Sequence, residues 1–418
     1  MTNEAAQAAE RAARESYGRL VAFLAARTRD LAAAEDALAD AFASALRVWP
    51  QTGAPDNPAA WLYAVAQRRL IDQARRARTA DAYATERAAL SSDIEENALA
   101  IPDRRLGLMF ACAHPAIDAA ARTPLMLQTV LGVPADRIAA AFLVEPAAMG
   151  QRLVRAKRKI KEAGIPFEIP GPDEWDERLG AVLDAIYAAY ADGWIDAADA
   201  DADRVELVSE ALWLSEILTA LAAHHPEVLG LRALLLHLHA RRAARRDANG
   251  DYVPLDAQDT SLWDVDAIRD AERLLFQAGR LGRLGRFQLE AAIQSAHASR
   301  AFGRRVDWAA IVQLYEGLVT ITGGSPVVAL NRVAALAHRD GPAAALPALE
   351  PLAEFLQGYQ PYWALRARLL EEVGDAEGAR AAYAEAIARA PNEAAKTFLR
   401  KRAARFSANV ERDEPGAS

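Results

Sequence analysis

Two short stretches of the sequence carry the residue types that bind nucleic acid. From Gln151 to Lys161 there are six basic residues and no acidic one, and from Gln67 to Arg78 there are five arginines against one acid. Guanidinium and ammonium groups on a helix face neutralise DNA phosphates, and Gln and Arg also hydrogen-bond to base edges. The two stretches therefore predict DNA binding, although each one alone could be an ordinary solvated helix face.

The rest of the chain is acidic overall. The net charge of the 418-residue chain is −8, and acidic residues are concentrated in Gly171–Asp203. This distribution excludes a protein that binds nucleic acid along its whole surface, because most of that surface would repel phosphate.

Several features favour a cytoplasmic protein that does not contact a membrane. The single cysteine, Cys112, excludes an internal disulfide and fits a reducing compartment. The first residues alternate Ala, Glu and Arg rather than forming the apolar segment of a secretion signal. No apolar run approaches the roughly 20 residues that a membrane span needs.

The sequence predicts neither catalysis nor a bound metal or cofactor. His237 and His239 lie two residues apart, so they cannot share one helix face, and no acid or cysteine is placed usefully nearby. Cys112 has no evident activating partner, and no glycine-rich phosphate loop is present. We therefore interpret the chain as a binding protein and not as an enzyme.

The basic stretches lie on predicted helices. Ala, Leu, Arg and Glu dominate the composition and strand-like alternation is nearly absent, so we predict an all-α protein. Helices are expected at Glu10–Thr28 and at Leu31–Val48, the second with Asp30 as N-cap and ending at Trp49-Pro50. Gln51–Pro58 has strong loop chemistry.

The next predicted helix, Ala59–Arg78, places its arginines along one side. Arg68 and Arg75 are seven residues apart, as are Arg69 and Arg76, and seven residues make nearly two helical turns. Such a row suits phosphate contact. The buried side of this helix is expected to comprise Leu62, Val65, Ala66 and Leu70.

A helix-turn-helix pattern surrounds the other basic stretch. Helices are predicted at Ala119–Val130, Ala135–Phe142 and Pro146–Ala163, with a turn at Leu143–Glu145. Met149, Leu153, Ala156 and Ile160 form the expected core side of the last helix. Small residues, Ala147 and Ala148, leave its first turn slim enough to enter a major groove. The side chains expected to reach DNA are Gln151, Arg152, Arg155 and Lys159.

The chain is expected to contain several domains. We place one at 10–79, a polar linker at 80–100 and a second domain at 101–165, closed by the Pro- and Gly-rich segment Gly164–Pro172. A helical extension follows at 173–290, and repeats are expected at 291–406. The repeat matches tetratricopeptide positions, with Gly374 at the turn between two helices. The matching residues are Trp363, Ala367, Ala379, Tyr383, Ala386 and Pro391.

Three motifs in this order resemble the conserved regions of extracytoplasmic-function (ECF) sigma factors, in the sigma-70 superfamily. AEDALADAF at Ala34–Phe42 resembles the polymerase-binding helix of that family. NPAAWLYAVAQRRLIDQARR at Asn57–Arg76 resembles the stretch that recognises and melts the −10 element. IAAAFLVEPAAMGQRLVRAK at Ile138–Lys157 resembles the helix-turn-helix that reads the −35 element.

The resemblance implies roles for individual residues. Glu35, Asp36 and Asp40 would lie on the helix that docks on core RNA polymerase. Asp56 and Asn57 would hydrogen-bond a base flipped from the −10 strand, which costs a few kcal/mol per base. Trp61 would stack at the melted step or pack in the core. The −10 contacts would also include Arg68, Arg69, Arg75 and Arg76. The family often has Lys or Ser at the positions of Gly150 and Gln151. The identity of the bases that this helix reads at −35 therefore cannot be transferred from the family to this chain.

The long C-terminal part resembles the tetratricopeptide-like extension of a subgroup of these sigma factors. The resemblance implies that it tunes sigma activity, and a groove for a peptide or protein ligand is one interpretation of its repeats. A purely structural solenoid is the other. The alternatives for the whole chain are a DNA-binding regulator that does not engage polymerase and a tetratricopeptide scaffold with incidental basic helices.

Overall fold

Helices make up the regular structure of the protein, in agreement with the predicted all-α class. The computed structural model describes residues 2–78, 103–142, 144–195, 202–248, 250–390 and 393–413. Among these residues, extended pairing is limited to a single antiparallel bridge between Arg246 and Tyr252. None of the described helices combines the length and apolar character that a bilayer crossing requires. The linker predicted at 80–100 lies outside the described residues.

The chain separates into two compact units, Met1–Leu214 and Ser215–Ser418. The helices of the first unit are α1 (Thr2–Thr28), α2 (Leu31–Thr52), α3 (Pro58–Arg78), α4 (Arg105–Cys112), α5 (Ala119–Thr129), α6 (Ala135–Ala141), α7 (Pro146–Glu162) and α8 (Trp175–Ile195). Helix α9 (Ala202–Leu221) begins in the first unit and ends in the second. The helices of the second unit are α10 (Pro226–Ala240), α11 (Val265–Arg280), α12 (Arg286–Ala298), α13 (Trp308–Ile321), α14 (Pro326–Asp340), α15 (Pro342–Leu349), α16 (Ala353–Leu356), α17 (Gln360–Val373), α18 (Ala376–Ala388) and α19 (Glu393–Asp413).

The first three helices pack together through apolar residues at helical spacing. Helix α1 packs on α2 and α3, and α2 packs on α3. Leu24, Leu38 and Leu62 are fully buried between them, as expected for helices with one apolar side. Asp30 caps α2 as predicted, because its carboxylate accepts a hydrogen bond from the Ala33 N–H at 3.1 Å.

The end of α2 differs from the sequence prediction. The sequence places it at Trp49-Pro50, but the helix continues to Thr52 with Pro50 inside it. Proline removes only the hydrogen bond to the carbonyl of Leu46, and Leu46 is exposed, so water can satisfy that carbonyl. The helix ends instead at Gly53, which has a φ of 83° and donates its N–H to the Trp49 carbonyl at 2.9 Å.

The remaining helices of the first unit surround α4. Every residue from Leu106 to Cys112 is buried, because α1, α5 and α8 all pack on this helix. Trp175 at the start of α8 packs against Phe110, with ring centroids 5.8 Å apart. Its indole N–H donates to the Pro170 carbonyl at 2.9 Å. Helix α8 is therefore part of the same core as α4 and α5.

In the second unit, consecutive helices pack as hairpins, such as α13 with α14 and α17 with α18. The turn predicted at Gly374 is present, since this residue ends α17 with a φ of 84° in the left-handed region. Asp375 then caps α18 by accepting a hydrogen bond from the Gly378 N–H at 2.9 Å. Pro391 of the predicted repeat lies outside the described residues. Buried repeat residues include Ala367, Ala379, Tyr383 and Ala386.

Candidate nucleic-acid interface

Helix α7 has one buried side and one exposed, basic side. The buried side is the predicted one, Met149, Leu153, Ala156 and Ile160, and it faces α5 and α6. Proline occupies the first helical position, where its missing N–H costs nothing. The exposed side therefore carries most of the predicted DNA-contacting residues, Ala147, Ala148, Gln151, Arg155 and Lys159.

The connection between α6 and α7 is short. The Val144 N–H donates to the Ala139 carbonyl at 2.9 Å, which turns the chain between the two helices. Leu143 of the predicted turn lies outside the described residues. Helices α5, α6 and α7 pack on one another. This mutual packing is what a helix-turn-helix needs, and DNA binding by it stays a prediction.

Arg152 differs from the other predicted contacts on α7. It is partly buried, and its Nη1 donates to the Ala120 carbonyl of α5 at 3.3 Å. One donor of this guanidinium therefore holds α7 to α5. Gln151 and Arg155 are exposed and present their polar groups to solvent.

Two further residues of α7 share the exposed side but were not selected by the sequence analysis. Val154 is 66% exposed, and Arg158 is exposed with its Nε 3.5 Å from Glu162. The sequence could have indicated both residues, because they follow Gln151 by three and seven positions. That spacing places them on the same side of the helix as Gln151. An apolar side chain on such a surface can contact a thymine methyl group.

Helix α3 also separates a buried from a basic side. Leu62 and Ala66 are buried, while Val65 and Leu70 of the predicted stripe are partly buried. The side chains of Arg68, Arg69 and Arg75 are exposed, and that of Arg76 lies outside the described residues. The Arg69 Nε lies 3.8 Å from Asp40 on α2, a loose surface pair that leaves the guanidinium in solvent.

The two residues of the loop before α3 that are predicted to bind a flipped base differ in their contacts. Asp56 is exposed. Asn57 is the N-cap of α3, because its Oδ1 accepts a hydrogen bond from the Ala60 N–H at 3.0 Å. Trp61 is half-buried, and its ring meets the edge of buried Trp49 at a centroid distance of 5.4 Å. The contact leaves the ring partly exposed, so stacking at the melted step and core packing both stay predictions for Trp61.

The three acidic candidates of α2 point in two directions. Asp36 and Asp40 are exposed, one turn apart. Glu35 points inward, where its Oε2 accepts a hydrogen bond from the Lys157 Nζ at 2.7 Å. Burial raises the pKa of the Glu35 carboxyl, although Lys157 acts to lower it. Glu35 is therefore engaged with α7, while the other two acids face solvent.

The described residues contain no metal site, and a cavity of the first unit is formed by residues other than the predicted binding ones. No group of His, Cys, Asp and Glu in the described part of the chain could hold a metal ion. A cavity of about 840 Å³ lies in the first unit, lined by residues of α1, α5, α6 and α9. Arg105 also lines it; its guanidinium lies 4.2 Å from the ring centroid of Trp213 and pairs with Glu210. None of the residues predicted to bind DNA or polymerase lines this cavity.

Comparison with known families identifies the class to which the first helices belong. Residues 13–80 match the family model described as Sigma-70 region 2. The match begins within α1 and covers α2, the following loop and α3. The chain therefore carries a sigma-70 region 2 domain at these residues.

Two further similarities lie outside this domain or reach beyond it. Residues 178–279 match a second model, described as a family of unknown function (DUF6596). Over 381 residues the chain is 40% identical to a Rhizobium meliloti (strain 1021) protein named Uncharacterized protein R00370, with 89% of each chain covered. The chain belongs to the same family as that protein. No solved structure matches this chain.

Proposed function

We propose that this protein is an RNA polymerase sigma factor of the ECF type, which directs promoter-specific initiation in the cytoplasm. One observation carries the proposal. The sigma-70 region 2 match falls on the first three helices, and the last of these, α3, carries the exposed arginines. A sigma factor needs a polymerase-docking surface and DNA-contacting surfaces on one chain. The exposed acids of α2 and the basic sides of α3 and α7 supply candidates for each.

Core RNA polymerase would be contacted by α2. Asp36 and Asp40 are exposed and can meet a basic surface in the protein as it stands. Glu35 would join them only after its contact with Lys157 is released. The docking role of all three acids is tested by their charge-neutralising variants in a polymerase-binding assay.

Promoter DNA would be contacted at two places. Helix α3 and the loop at Asp56 would bind the −10 element, with the exposed arginines on phosphates. Helix α7 would enter the major groove at the −35 element, where Gln151 and Arg155 can reach base edges. The small side chains of Ala147 and Ala148 on the exposed side of its first turn leave room for this approach.

Reconstituted transcription tests the proposal. The full-length protein should co-purify with core RNA polymerase and direct it to promoters identified by sequencing transcripts after overexpression. The double variant Gln151→Ala/Arg155→Ala should lose most of this output, because each good base contact is worth about 1–3 kcal/mol. Arg269→Ala is the matched control, since Arg269 is exposed on α11 of the second unit.

The alternatives give different results in the same assays. Salt-sensitive DNA binding without polymerase binding would contradict the sigma function and favour a DNA-binding regulator. Binding to neither partner would favour a protein-interaction scaffold. Either result would overturn the proposal.

The extension at 173–406 would regulate this activity through tetratricopeptide-like hairpins that bind a protein or peptide. The α17–α18 hairpin, with its buried small residues and its turn at Gly374, supports this interpretation. Truncation after Leu221, the end of α9, is the appropriate test. Helix α8 packs on α4 and α5, and Trp213 of α9 contacts Arg105, so the removal of either helix would disturb the first unit. Unchanged transcription by the truncated protein would contradict a regulatory extension.

A further inference from the structure

The cavity of the first unit has the size of a small-molecule site. Its volume is about 840 Å³, and protein pockets that hold small ligands measure about 300–1,000 Å³. Its wall is made by α1, by the connection between α5 and α6, and by the part of α9 from Glu206 to Trp213. These residues are separate from those proposed to contact DNA or core polymerase. The cavity therefore belongs to none of the surfaces assigned so far.

The described charged residues of the cavity wall are mainly acidic. Glu15 of α1 and Glu206 and Glu210 of α9 contribute three carboxylates, whereas Arg105 and Arg137 contribute two guanidinium groups. An excess of one charge around a recess concentrates the field within it, so the cavity attracts cations and disfavours anions. A ligand of this cavity is therefore expected to carry positive charge.

One contact within the wall shows how a planar cation is held here. The Arg105 guanidinium lies over the Trp213 ring, 4.2 Å from its centroid, and pairs with Glu210. It also pairs with Asp103 at 2.6 Å, and only 13% of its side chain is exposed. A flat cation between a ring and a carboxylate is stabilised by cation–π attraction and by charge-assisted hydrogen bonds. The wall therefore combines the two groups that a planar cation requires.

The wall also offers apolar surface to the flat part of a ligand. Leu131 and Val133 line the cavity from the connection between α5 and α6, and Leu207 lines it from α9. The Trp213 indole is only partly buried, so part of its ring stays accessible beside Arg105. Ligand pockets typically combine apolar and aromatic surface with a few polar groups that fix the orientation of the ligand. This wall has that composition.

A hydrogen-bond acceptor at the wall lacks a donor. Gln128 of α5 lines the cavity, and its Oε1 is buried without a hydrogen bond from any described group. A buried carbonyl oxygen in this condition is uncommon and unfavourable. A ligand with an N–H group at this wall would supply the missing hydrogen bond. Like the carboxylates, Gln128 Oε1 selects for a ligand that donates.

We propose that this cavity binds a planar organic cation, in which an amidinium group or a protonated amine is joined to a flat aromatic ring. Glu15 and Glu206 lie on the side of its charge. The Trp213 ring contacts its flat surface, and Gln128 accepts one of its N–H groups. The site is independent of the proposed sigma function, because the two share no residue.

Isothermal titration calorimetry with three matched naphthalenes tests the site in the full-length protein. Naphthamidine, naphthamide and naphthoate, substituted at the same ring position, share one flat ring system and are cationic, neutral and anionic. The amidine should bind at least about tenfold more tightly than the amide, because its hydrogen bonds to carboxylates are charge-assisted. Naphthoate should show no measurable binding. Absent amidine binding, equal binding of amidine and amide, or preferred binding of naphthoate would each overturn the proposal.

Two variants locate the bound amidine. Glu15→Gln removes one carboxylate of the wall, and Gln128→Met replaces the unpaired acceptor by an unbranched apolar side chain of similar length. Each should weaken amidine binding several-fold. Glu177→Gln is the matched control, since Glu177 is exposed on α8 and does not line the cavity.

Glu15→Gln keeps the test decisive if Gln128→Met fails to fold, because Glu15 is exposed and its substitution leaves the core intact. Affinity that is unchanged in Glu15→Gln, or lowered equally in Glu177→Gln, would mean that the amidine binds elsewhere on the chain. Either result would overturn the assignment of the cavity.

Discussion

Glu227 and Gln288 are joined by two hydrogen bonds that connect α10 to the first turn of α12. The Glu227 Oε1 accepts from the backbone N–H of Gln288 at 3.1 Å and from its side-chain Nε2 at 3.2 Å. The other carboxylate oxygen accepts from the Phe287 N–H at 2.9 Å. A carboxylate that binds the free N–H groups at the start of a helix is favoured both by these bonds and by the helix dipole.

Glu227→Ala should therefore destabilise the second unit by about 2–3 kcal/mol, because it leaves partly buried N–H groups without their acceptor. Urea unfolding followed by far-UV circular dichroism measures the change. Glu354→Ala, at an exposed position on α16, is the control and should change stability by less than about 0.5 kcal/mol. Equal effects of the two variants would contradict the capping role of Glu227.

The stability of the second unit should fall as the pH drops below about 6.5. Burial lowers the pKa of His237 and of His297 to about 4, with Arg241 contributing to both. For His237, burial prevails although its Nε2 lies 3.4 Å from Glu272. Between about pH 4 and 6.5 the unfolded chain therefore binds more protons than the folded one, so folding weakens as the pH falls.

Each histidine should contribute a slope of up to about 1.4 kcal/mol per pH unit in that range. Urea unfolding of the full-length protein at about pH 7.5, 6.5 and 5.5 measures it. His237→Gln/His297→Gln should flatten the dependence, while His224→Gln, at an exposed position, should keep it. A free energy of unfolding that stays constant from about pH 7.5 to 5.5 would show that the buried histidines are not held neutral.

Arg152 and Arg155 should respond differently to substitution. Arg155→Ala removes an exposed cation, so it should weaken promoter binding and, if it contacts a phosphate, reduce the salt-dependence slope by about 1. Arg152→Ala should also lower the stability of the first unit, by about 1 kcal/mol, because Arg152 bonds the Ala120 carbonyl. Fluorescence anisotropy against salt and thermal unfolding separate the two effects. Identical behaviour of the two variants would contradict this assignment.

Cys112 should be unreactive in the folded protein. Burial raises the pKa of its thiol to about 12, and the Sγ lies 3.8 Å from the Thr129 hydroxyl. Because the thiolate is the reacting form, labelling by a disulfide reagent at about pH 8 should be roughly a hundredfold slower than in urea. Rapid labelling of the native protein would mean that α4 is accessible.

The sequence predicted those features of the candidate interface that depend on neighbouring residues along a helix. The buried side of α7 and its exposed basic side follow from three- and four-residue spacing. The cap at Asp30 follows from the residue type at a helix start. The end of α2 was predicted wrongly at Pro50, since the cost of a proline depends on whether water can reach the freed carbonyl of Leu46.

The sequence by itself determined the all-α class, the positions of the basic helices and the order of the sigma-like motifs, because helix formation and amphipathicity are local properties. Only the tertiary structure decided which charged residues pair between helices that are distant in the chain. Glu35 and Lys157 are 122 residues apart, and the motifs assigned one to polymerase and the other to the segment that resembles the −35 reader. Their pairing depends on how α2 approaches α7, which no spacing within one helix encodes.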